Sequence, residues 1–300
     1  MSATRHVAVM VSEAMQALAP HPGGRYLDGT LGGGTHTEET LRRSSPDGRV
    51  LSLDLYPQAI RSAQVLFAVY GSRWQGLEAN FRHLAELAQR ENFVPLDGIL
   101  LDLGLSSDLL ADPHRGLSFQ TDGPLDMRFG AQANADGLTA AEIVNQWSLD
   151  DLCTIFKSYG QERFARRIAH GLVEARRSSV ITSTHQLAEL VTSLVPRSYE
   201  HGRIHPATRT FQALRLVVND ELNTLREAIQ GASQVLAPGG RLVIISFNSL
   251  EDRVVKDAFR SSSQFRPLFK KPLVPSASEV RANPRARSAK LRGAVKLKTD

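Results

Sequence analysis

The chain has a single cysteine, Cys153, among 300 residues. One thiol excludes an intramolecular disulfide, and the N-terminus shows no charged-then-apolar secretory pattern, so a cytoplasmic setting is expected. Long apolar runs are missing as well. Stretches such as Ile99–Leu101 and Leu242–Ile245 are far too short to cross a bilayer, which excludes membrane insertion by a helix. Internal repeats and low-complexity segments are absent. A metal-ligand pattern is absent too: His201 and His205 near Pro206 have no further Cys or His at ligand spacing, and no metal is expected. What remains is an ordinary globular composition, 42% hydrophobic, with a net charge of +5 that is compatible with a polyanionic partner.

The first third alternates short apolar runs with helical patterns. Tyr26–Asp28, Val50–Asp54, Leu77–Asn80 and Gly98–Leu103 read as strand ends or strands, with Pro57 placed to open the helix after Asp54. This alternation predicts an α/β fold with a doubly wound parallel sheet. The next clear strand is Leu242–Phe247, after the turn in "APGGRLVIISF", and the long gap before it exceeds the usual βα connections. A helical insertion over residues 106–206 is therefore expected, with residues 1–105 and 207–300 forming one discontinuous core. Within the insertion, "ERFARRIAHGLVEARR" puts Phe164, Ile168 and Leu172 on one face and Arg163, Arg166, Arg167 and His170 on the other. The segment after Pro206 keeps helical spacing through Phe211, Leu214, Val218, Leu222, Leu225 and Ile229, and predicts a buried helix on the sheet. Its polar stripe is Thr208, Gln212, Arg215 and Asn219. The basic "NPRARSAKLRGAVKLK" reads either as a disordered tail or as a phosphate-binding arm.

The glycine-rich "LDGTLGGGTHT" at 27–37 raises the question of its ligand. A dinucleotide fingerprint needs a third glycine opening the helix, but Thr35, His36 and Thr37 follow Gly32, Gly33 and Gly34. A P-loop needs a lysine after the glycines, and none is there. Asp28, at the strand end before the loop, would repel a pyrophosphate and suits a cationic or zwitterionic ligand such as S-adenosylmethionine. Asp54 ends the next strand, where its two oxygens suit the hydroxyls of a ribose. Acid, glycine loop and second acid point to a methyltransferase, with NAD or FAD binding as the competing reading.

Asp102, in "GILLDLGLSS", closes the fourth strand and belongs on the ligand side of an open parallel sheet. A carboxylate there either holds the cofactor or accepts a hydrogen bond from an amino group undergoing methylation. A helix cap is the plain alternative. The Asn/Asp-Pro-Pro-Tyr/Phe signature of many amino-methyltransferases is absent.

Eight blocks in order, "HVAVMVSEAM", "DGTLGGGTHT", "DLGLSS", "RGLSFQTDGPLDMR", "YGQERFARRIA", "HPATRTFQALRLVVNDEL", "APGGRLVIISFNSLEDR" and "NPRARSAKLR", span nearly the whole chain. Together they resemble the bacterial 16S ribosomal RNA cytosine-N4 methyltransferases, the MraW/RsmH family. The resemblance implies a class I methyltransferase (Rossmann-like) fold with a helical insertion domain, S-adenosyl-L-methionine as cofactor, and methylation of the exocyclic N4 of a decoding-centre cytidine. The implied partner is 16S rRNA, within the 30S subunit, with no membrane and with a monomer or a homodimer equally compatible. Carried over onto this sequence, the family's cofactor positions fall on Gly34, Thr35, His36, Asp54, Phe81 and Asp102, beside the Asp28 and Gly32 already singled out.

The sequence departs from the family pattern at Thr35, where a further Gly is usual, at Asn248, where His is usual, and at Leu109, where Gln is frequent. Thr35 keeps its backbone N–H, whereas Leu109 has no side-chain donor. Asn248 does not titrate as His does and is expected to orient a base edge beside Asp102, with Ser246 next to it. Asp102, Asn248 and Ser246 are thus the expected catalytic group. Asp122, Asp126, Arg128, Arg209 and Arg215 are the expected substrate contacts, against plain readings as an Asx-turn and as ion pairs with those same acids. Arg285, Arg287, Lys290 and Arg292 are placed to cover the site. Two rival functions stay open: a methyltransferase acting on a small molecule or DNA, and a ribosome-assembly factor that uses the fold only to bind RNA.

Overall fold

A computed structural model describes residues 8–130, 133–134, 136–202 and 204–298. Its elements run α1 (Val11–Leu18), β1 (Arg25–Asp28), α2 (Thr35–Arg43), β2 (Arg49–Asp54), α3 (Pro57–Leu66), β3 (Trp74–Glu78), α4 (Leu84–Arg90) and β4 (Leu96–Asp102). The helices α5 (Ser107–Ala111), α6 (Ala140–Gln146), α7 (Leu149–Ser158), α8 (Ala165–Ser178), α9 (Thr184–Leu194) and α10 (Thr208–Val218) follow. The chain ends with α11 (Glu221–Val235), β5 (Leu236–Ser246), α12 (Ser249–Ser261), β6 (Phe265–Pro267), α13 (Ala277–Ala282) and β7 (Lys290–Lys296). Two compact units result, Met1–Ser106 with Leu222–Asp300, and Ser107–Glu221.

The first unit is a seven-stranded sheet in the order β3-β2-β1-β4-β5-β7-β6. Strands β1 to β5 pair in parallel, and β7 lies antiparallel between β5 and β6. The central strands read as near-continuous apolar runs because helices cover both of their faces. Leu27, Leu51, Ile99, Leu101, Leu242 and Ile244 pack on one face with residues of α4, α11 and α12. Their neighbours Tyr26, Val50, Leu100, Val243 and Ile245 turn to the other face, against α1 and Leu41 of α2. At Gly98 a Cβ would stand 2.6 Å from Leu18 Cδ1, so the glycine lets α1 lie close on β4. Pro57 opens α3 at its first turn, where the missing N–H costs nothing.

The C-terminal basic segment is part of this sheet, which overturns the tail reading. Lys290–Val295 pairs with Arg241–Ser246, and Leu291 and Ala294 are buried. Lys290 and Arg292 both reach Asp252, Arg292 Nε donating to Oδ1 at 2.7 Å.

The second unit is helical, and three of its helices have side-chain caps. Thr139 and Glu142 form a reciprocal capping box on α6, and Ser148 and Ser183 cap α7 and α9. In α8, Ile168 and Leu172 are buried while Arg166, Arg167 and His170 are exposed, as the periodicity predicts.

The expected single helix after Pro206 is two helices. Asn219 ends α10, Asp220 takes a left-handed φ of +47°, and α11 restarts at Glu221. Helix α10 packs on α6 and α7 rather than on the sheet, so the second unit runs to Glu221 instead of stopping at 206. Only α11, through Leu225, Ile229 and Val235, joins the sheet core.

Candidate active site

The glycine loop is fixed by the ends of three strands. Gly29 N–H donates to the Leu100 carbonyl and Leu31 N–H to that of Leu53, each at 2.9 Å, so the loop spans the C-terminal ends of β4 and β2. Gly32 and Gly34 adopt left-handed φ values of +50° and +79°. At Gly34 a Cβ would also stand 2.7 Å from the Phe67 ring, which leaves glycine as the residue that fits. Helix α2 starts directly after it, with its N-terminus at the loop.

A cavity in this unit is lined by Thr30, Gly32, Gly34, Thr35, His36 and Asp102, among others. Asp102 is held there through its own backbone: its N–H donates to Thr30 Oγ1 at 2.6 Å, and Gly104 N–H donates to its Oδ1 at 3.1 Å. Its other oxygen, Oδ2, lies 3.4 Å from His36 Nε2. The His36 ring is buried, and neither of its nitrogens has a well-aligned hydrogen bond. Burial pulls the His36 pKa down, but the charges of Asp102, Asp28 and Glu279 outweigh it, and the net direction is upward.

Asp54 sits at the end of β2. Gly32 N–H donates to its Oδ2 and Tyr56 N–H to its Oδ1, both at 2.8 Å. Each carboxylate oxygen therefore keeps acceptor capacity for one more donor, as a ribose diol requires. Burial is the main influence on this acid and, with the charge of Asp28, pushes it up to about 6 despite the backbone N–H groups of Tyr56, Gly32 and Leu55.

Asp28 has a different place from the one expected. It is buried beneath the loop, accepting from Thr30 N–H at 3.1 Å and from Thr37 Oγ1 at 2.7 Å, and it does not line the cavity. It braces the loop and the first turn of α2. Burial raises its pKa, and His36, Thr37 and Thr30 counter that rise. Phe81 follows β3 in a short 3-10 turn capped by Asn80 and is half-buried against the core. Its Cβ would be 3.1 Å from a Cβ on Gly29, so it stands directly against the loop.

Asp102 pairs with Ile245 across β4 and β5, and the neighbouring Ser246 and Asn248 side chains bond to other partners. Ser246 is buried and donates to the Lys290 carbonyl at 3.3 Å. Asn248 is the N-cap of α12: its Oδ1 accepts from Leu250 and Glu251 N–H, each at 3.0 Å, and its amide nitrogen donates to Glu251. The reciprocal box with Glu251 gives the residue a structural role as a cap, beside the orienting role expected of it.

The expected RNA contacts of the second unit mostly have partners inside it. Arg128 grips Asp126 with two parallel hydrogen bonds of 2.8 and 2.7 Å. Arg215 does the same with Glu221, and Arg209 donates to the Gln161 carbonyl. Asp122 accepts from His185 N–H at 3.0 Å, tying its loop to the start of α9. The polar stripe of α10 is likewise engaged: Gln212 donates to the Tyr159 carbonyl, and Asn219 bonds the backbone of Met127 and Phe129. Of the plain readings, the ion pair with one of the same acids describes Arg128, whereas Arg215 pairs with Glu221 instead. His6 and Val7 of the first quoted block, and the His201 side chain, lie outside the described residues. Among the described residues no group of three or more His, Cys, Asp or Glu is arranged to hold a metal, and no helix is long and apolar enough to cross a membrane.

Sequence reasoning missed Thr30, Thr37 and Glu279. Thr30 and Thr37 lie inside the quoted loop, but their role as braces depends on which way their hydroxyls turn. Glu279 comes from α13, distant in sequence, and accepts from Met10 N–H at 2.6 Å.

The residues present fit S-adenosylmethionine. The left-handed glycines admit close backbone approach, Asp54 keeps free acceptor positions, and the buried His36 has orphaned nitrogens at the cavity. Parallel strands in the order 3-2-1-4-5, an antiparallel seventh strand inserted before the sixth, and acids closing β2 and β4 define a class I S-adenosylmethionine-dependent methyltransferase. Residues 3–297 match the MraW methylase family, and the chain belongs to that family. It is 47% identical over 315 residues to a Thermomicrobium roseum protein, covering 99% of this chain and 95% of the relative. A Symbiobacterium thermophilum protein is 44% identical over 313 residues, covering 98% of each. Both carry the name Ribosomal RNA small subunit methyltransferase H. Among solved structures, a putative rRNA-methylase from Clostridium thermocellum aligns with a TM-score of 0.48 at 10% identity, over 97% of this chain and 99% of its own.

Proposed function

We propose that the chain methylates the exocyclic N4 of a decoding-centre cytidine in 16S rRNA, within the 30S subunit. The observation that carries this reading is family membership over almost the whole length, shared with relatives named for small-subunit ribosomal RNA. S-adenosylmethionine supplies, when bound, an electrophilic methyl group on a sulfonium. Asp54 holds the ribose hydroxyls, and the backbone of Gly32, Gly34 and Thr35 borders the cofactor.

The amine of cytosine is a weak nucleophile because its lone pair is delocalised into the ring. Asp102 answers this by accepting a hydrogen bond from the N4–H, which orients the lone pair and gives the departing proton a place at a carboxylate oxygen. Its position at the cavity, fixed through Thr30 and Gly104, supports that role. The second unit recognises RNA and accommodates a cytosine taken out of its stack.

The test is methyl transfer from labelled S-adenosylmethionine to 30S subunits lacking the modification, followed by nucleoside mass spectrometry. N4-methylcytidine at a single position, lost with Asp102→Ala, is the expected result. Cofactor binding without transfer to 30S or naked rRNA would overturn the reading.

A further inference from the structure

The second unit contains a groove whose lining shares no residue with the cavity at the glycine loop. One wall is aromatic: Phe119 and His205 are stacked with centroids 4.4 Å apart at 29°, and Phe211 supports Phe119 edge-on at 5.0 Å. The other wall is one face of α9, presenting His185, Glu189, Thr192 and Ser193. Residues 185, 189 and 192 follow one another at helical spacing, so their side chains share that face.

The orientation of the His205 ring is set from within. Ala207 N–H donates to its Nδ1 at 3.2 Å, so Nδ1 acts as an acceptor and the ring's proton sits on Nε2. The ring is thereby held flat against Phe119 while both remain partly open to solvent. A pre-stacked pair of planar rings beside a row of polar side chains is the arrangement that binds a nucleobase, with its face on the rings and its edge toward the helix.

The helix face also discriminates among occupants. Glu189 is exposed and carries a negative charge in the groove, which disfavours a phosphate. The hydroxyls of Thr192 and Ser193 donate to the carbonyls of Ala188 and Leu190, so they offer acceptors rather than donors to a ligand. A carboxylate flanked by hydroxyl acceptors matches adjacent N–H donors. Among the four bases, guanine alone offers two such donors side by side, N1–H and N2–H, and its O6 is an acceptor for the ring N–H of His185, one helical turn away.

We propose that this groove binds an extrahelical guanine of the RNA, separate from the base that is methylated, with Phe119 and His205 as the stacking platform and Glu189 as the reader. The proposal rests on the reading of the substrate as RNA. It adds an anchor outside the reaction site, which would fix the position of the RNA on the second unit.

The test is fluorescence anisotropy of the full chain with labelled uridine tetramers carrying one guanosine, adenosine, cytidine or uridine. The guanosine oligomer is expected to bind about tenfold tighter than the other three, the discrimination one bidentate pair confers. Glu189→Gln, a change at an exposed position, is expected to remove the preference, and Phe119→Leu to weaken all four oligomers about tenfold while the melting temperature reports that the fold is kept. Equal binding of the four oligomers, or a guanosine preference unchanged in Glu189→Gln, overturns the proposal. Methyl transfer to 30S subunits is measured alongside: transfer without guanosine preference sinks the groove alone, whereas preference without transfer sinks the methylation reading and leaves the groove standing.

Discussion

His36 Nε2 faces Asp102 Oδ2 at 3.4 Å in the cavity at the glycine loop, with Asp28 and Glu279 adding negative charge around the same buried ring. The pair brings the first turn of α2 against the end of β4, so the glycine loop and the expected amine acceptor meet at one electrostatic contact. Asp102→Ala is expected to lower the rate of methyl transfer by about a hundred- to ten-thousand-fold, the range for losing a positioned acid or base. Single-turnover transfer to 30S subunits checks this, and a variant with near wild-type rate would remove Asp102 from the chemistry.

The same pair has a stability signature. The His36 pKa in the folded chain is raised above its ordinary 6.5, so its contribution is fully present below that value and is lost as pH rises through the folded value. His36→Gln removes it. The melting temperature of the variant is therefore expected to fall furthest below wild type at pH 6, by an amount corresponding to about 1–3 kcal/mol, and to converge on it at alkaline pH. A gap that widens with pH would mean that the ring is buried neutral.

Asp54 gives the opposite dependence for ligand binding. Its carboxyl is held up at about 6, so the folded chain takes up a proton there before the unfolded chain does. The cost of the buried charge is relieved as pH falls through 6, which favours the ligand-free fold, while the ionised form needed for two ribose hydroxyls disappears. Affinity for S-adenosylmethionine is expected to be flat above about pH 7 and to weaken about tenfold by pH 5. Calorimetric titration across this range checks it, with Asp54→Asn expected to bind weakly and without that pH dependence.

Much of this fold is legible in the sequence, and the parts that are not share a physical reason. Strands β1, β2 and β4 show as apolar runs because they are covered on both faces, and Pro57 and the loop glycines mark the turns between them. Strand β7 alternates Leu291 and Gly293 with Lys290 and Arg292, a period-2 pattern hidden by its basic composition. The break between α10 and α11 leaves the helical spacing of apolar residues intact, so periodicity passes over Asp220. Site residues divide the same way. Asp54, Asp102, Gly34 and His36 are betrayed by their place at strand ends and in the loop. The partners that Ser246, Asn248 and the arginines of the second unit take depend on which neighbour each side chain meets, and spacing along the chain carries no record of that.

Asn248 tests this distinction directly. Its side chain satisfies two backbone N–H groups at the start of α12 and pairs with Glu251. Asn248→Ala is expected to cost about 1 kcal/mol of stability, the ordinary value of an N-cap, while leaving the methyl-transfer rate within a few-fold of wild type. Urea unfolding alongside the 30S assay separates the outcomes: a large loss of rate at unchanged stability would restore Asn248 to the reaction.

The C-terminal basic segment separates two accounts of its charge. As a phosphate-binding arm, its removal would weaken RNA binding and spare the fold. As strand β7, it supplies the antiparallel partner of Arg241–Ser246, buries Leu291 and Ala294, and places Arg292 and Lys290 against Asp252, whose carboxyl those two cations hold below its ordinary range against the opposing pull of burial. Deleting everything after Ala289 would expose the edge of β5, strand β6 would lose its only sheet neighbour among the described residues, and Asp252 would be left without these cations. The truncated chain is therefore expected to be largely unfolded and unable to bind S-adenosylmethionine, as read by circular dichroism and calorimetry. Arg287→Ala, at an exposed position before the strand, is expected to leave both intact. A truncated chain that melts cooperatively and binds the cofactor, with only its RNA affinity reduced, would return the segment to the arm account.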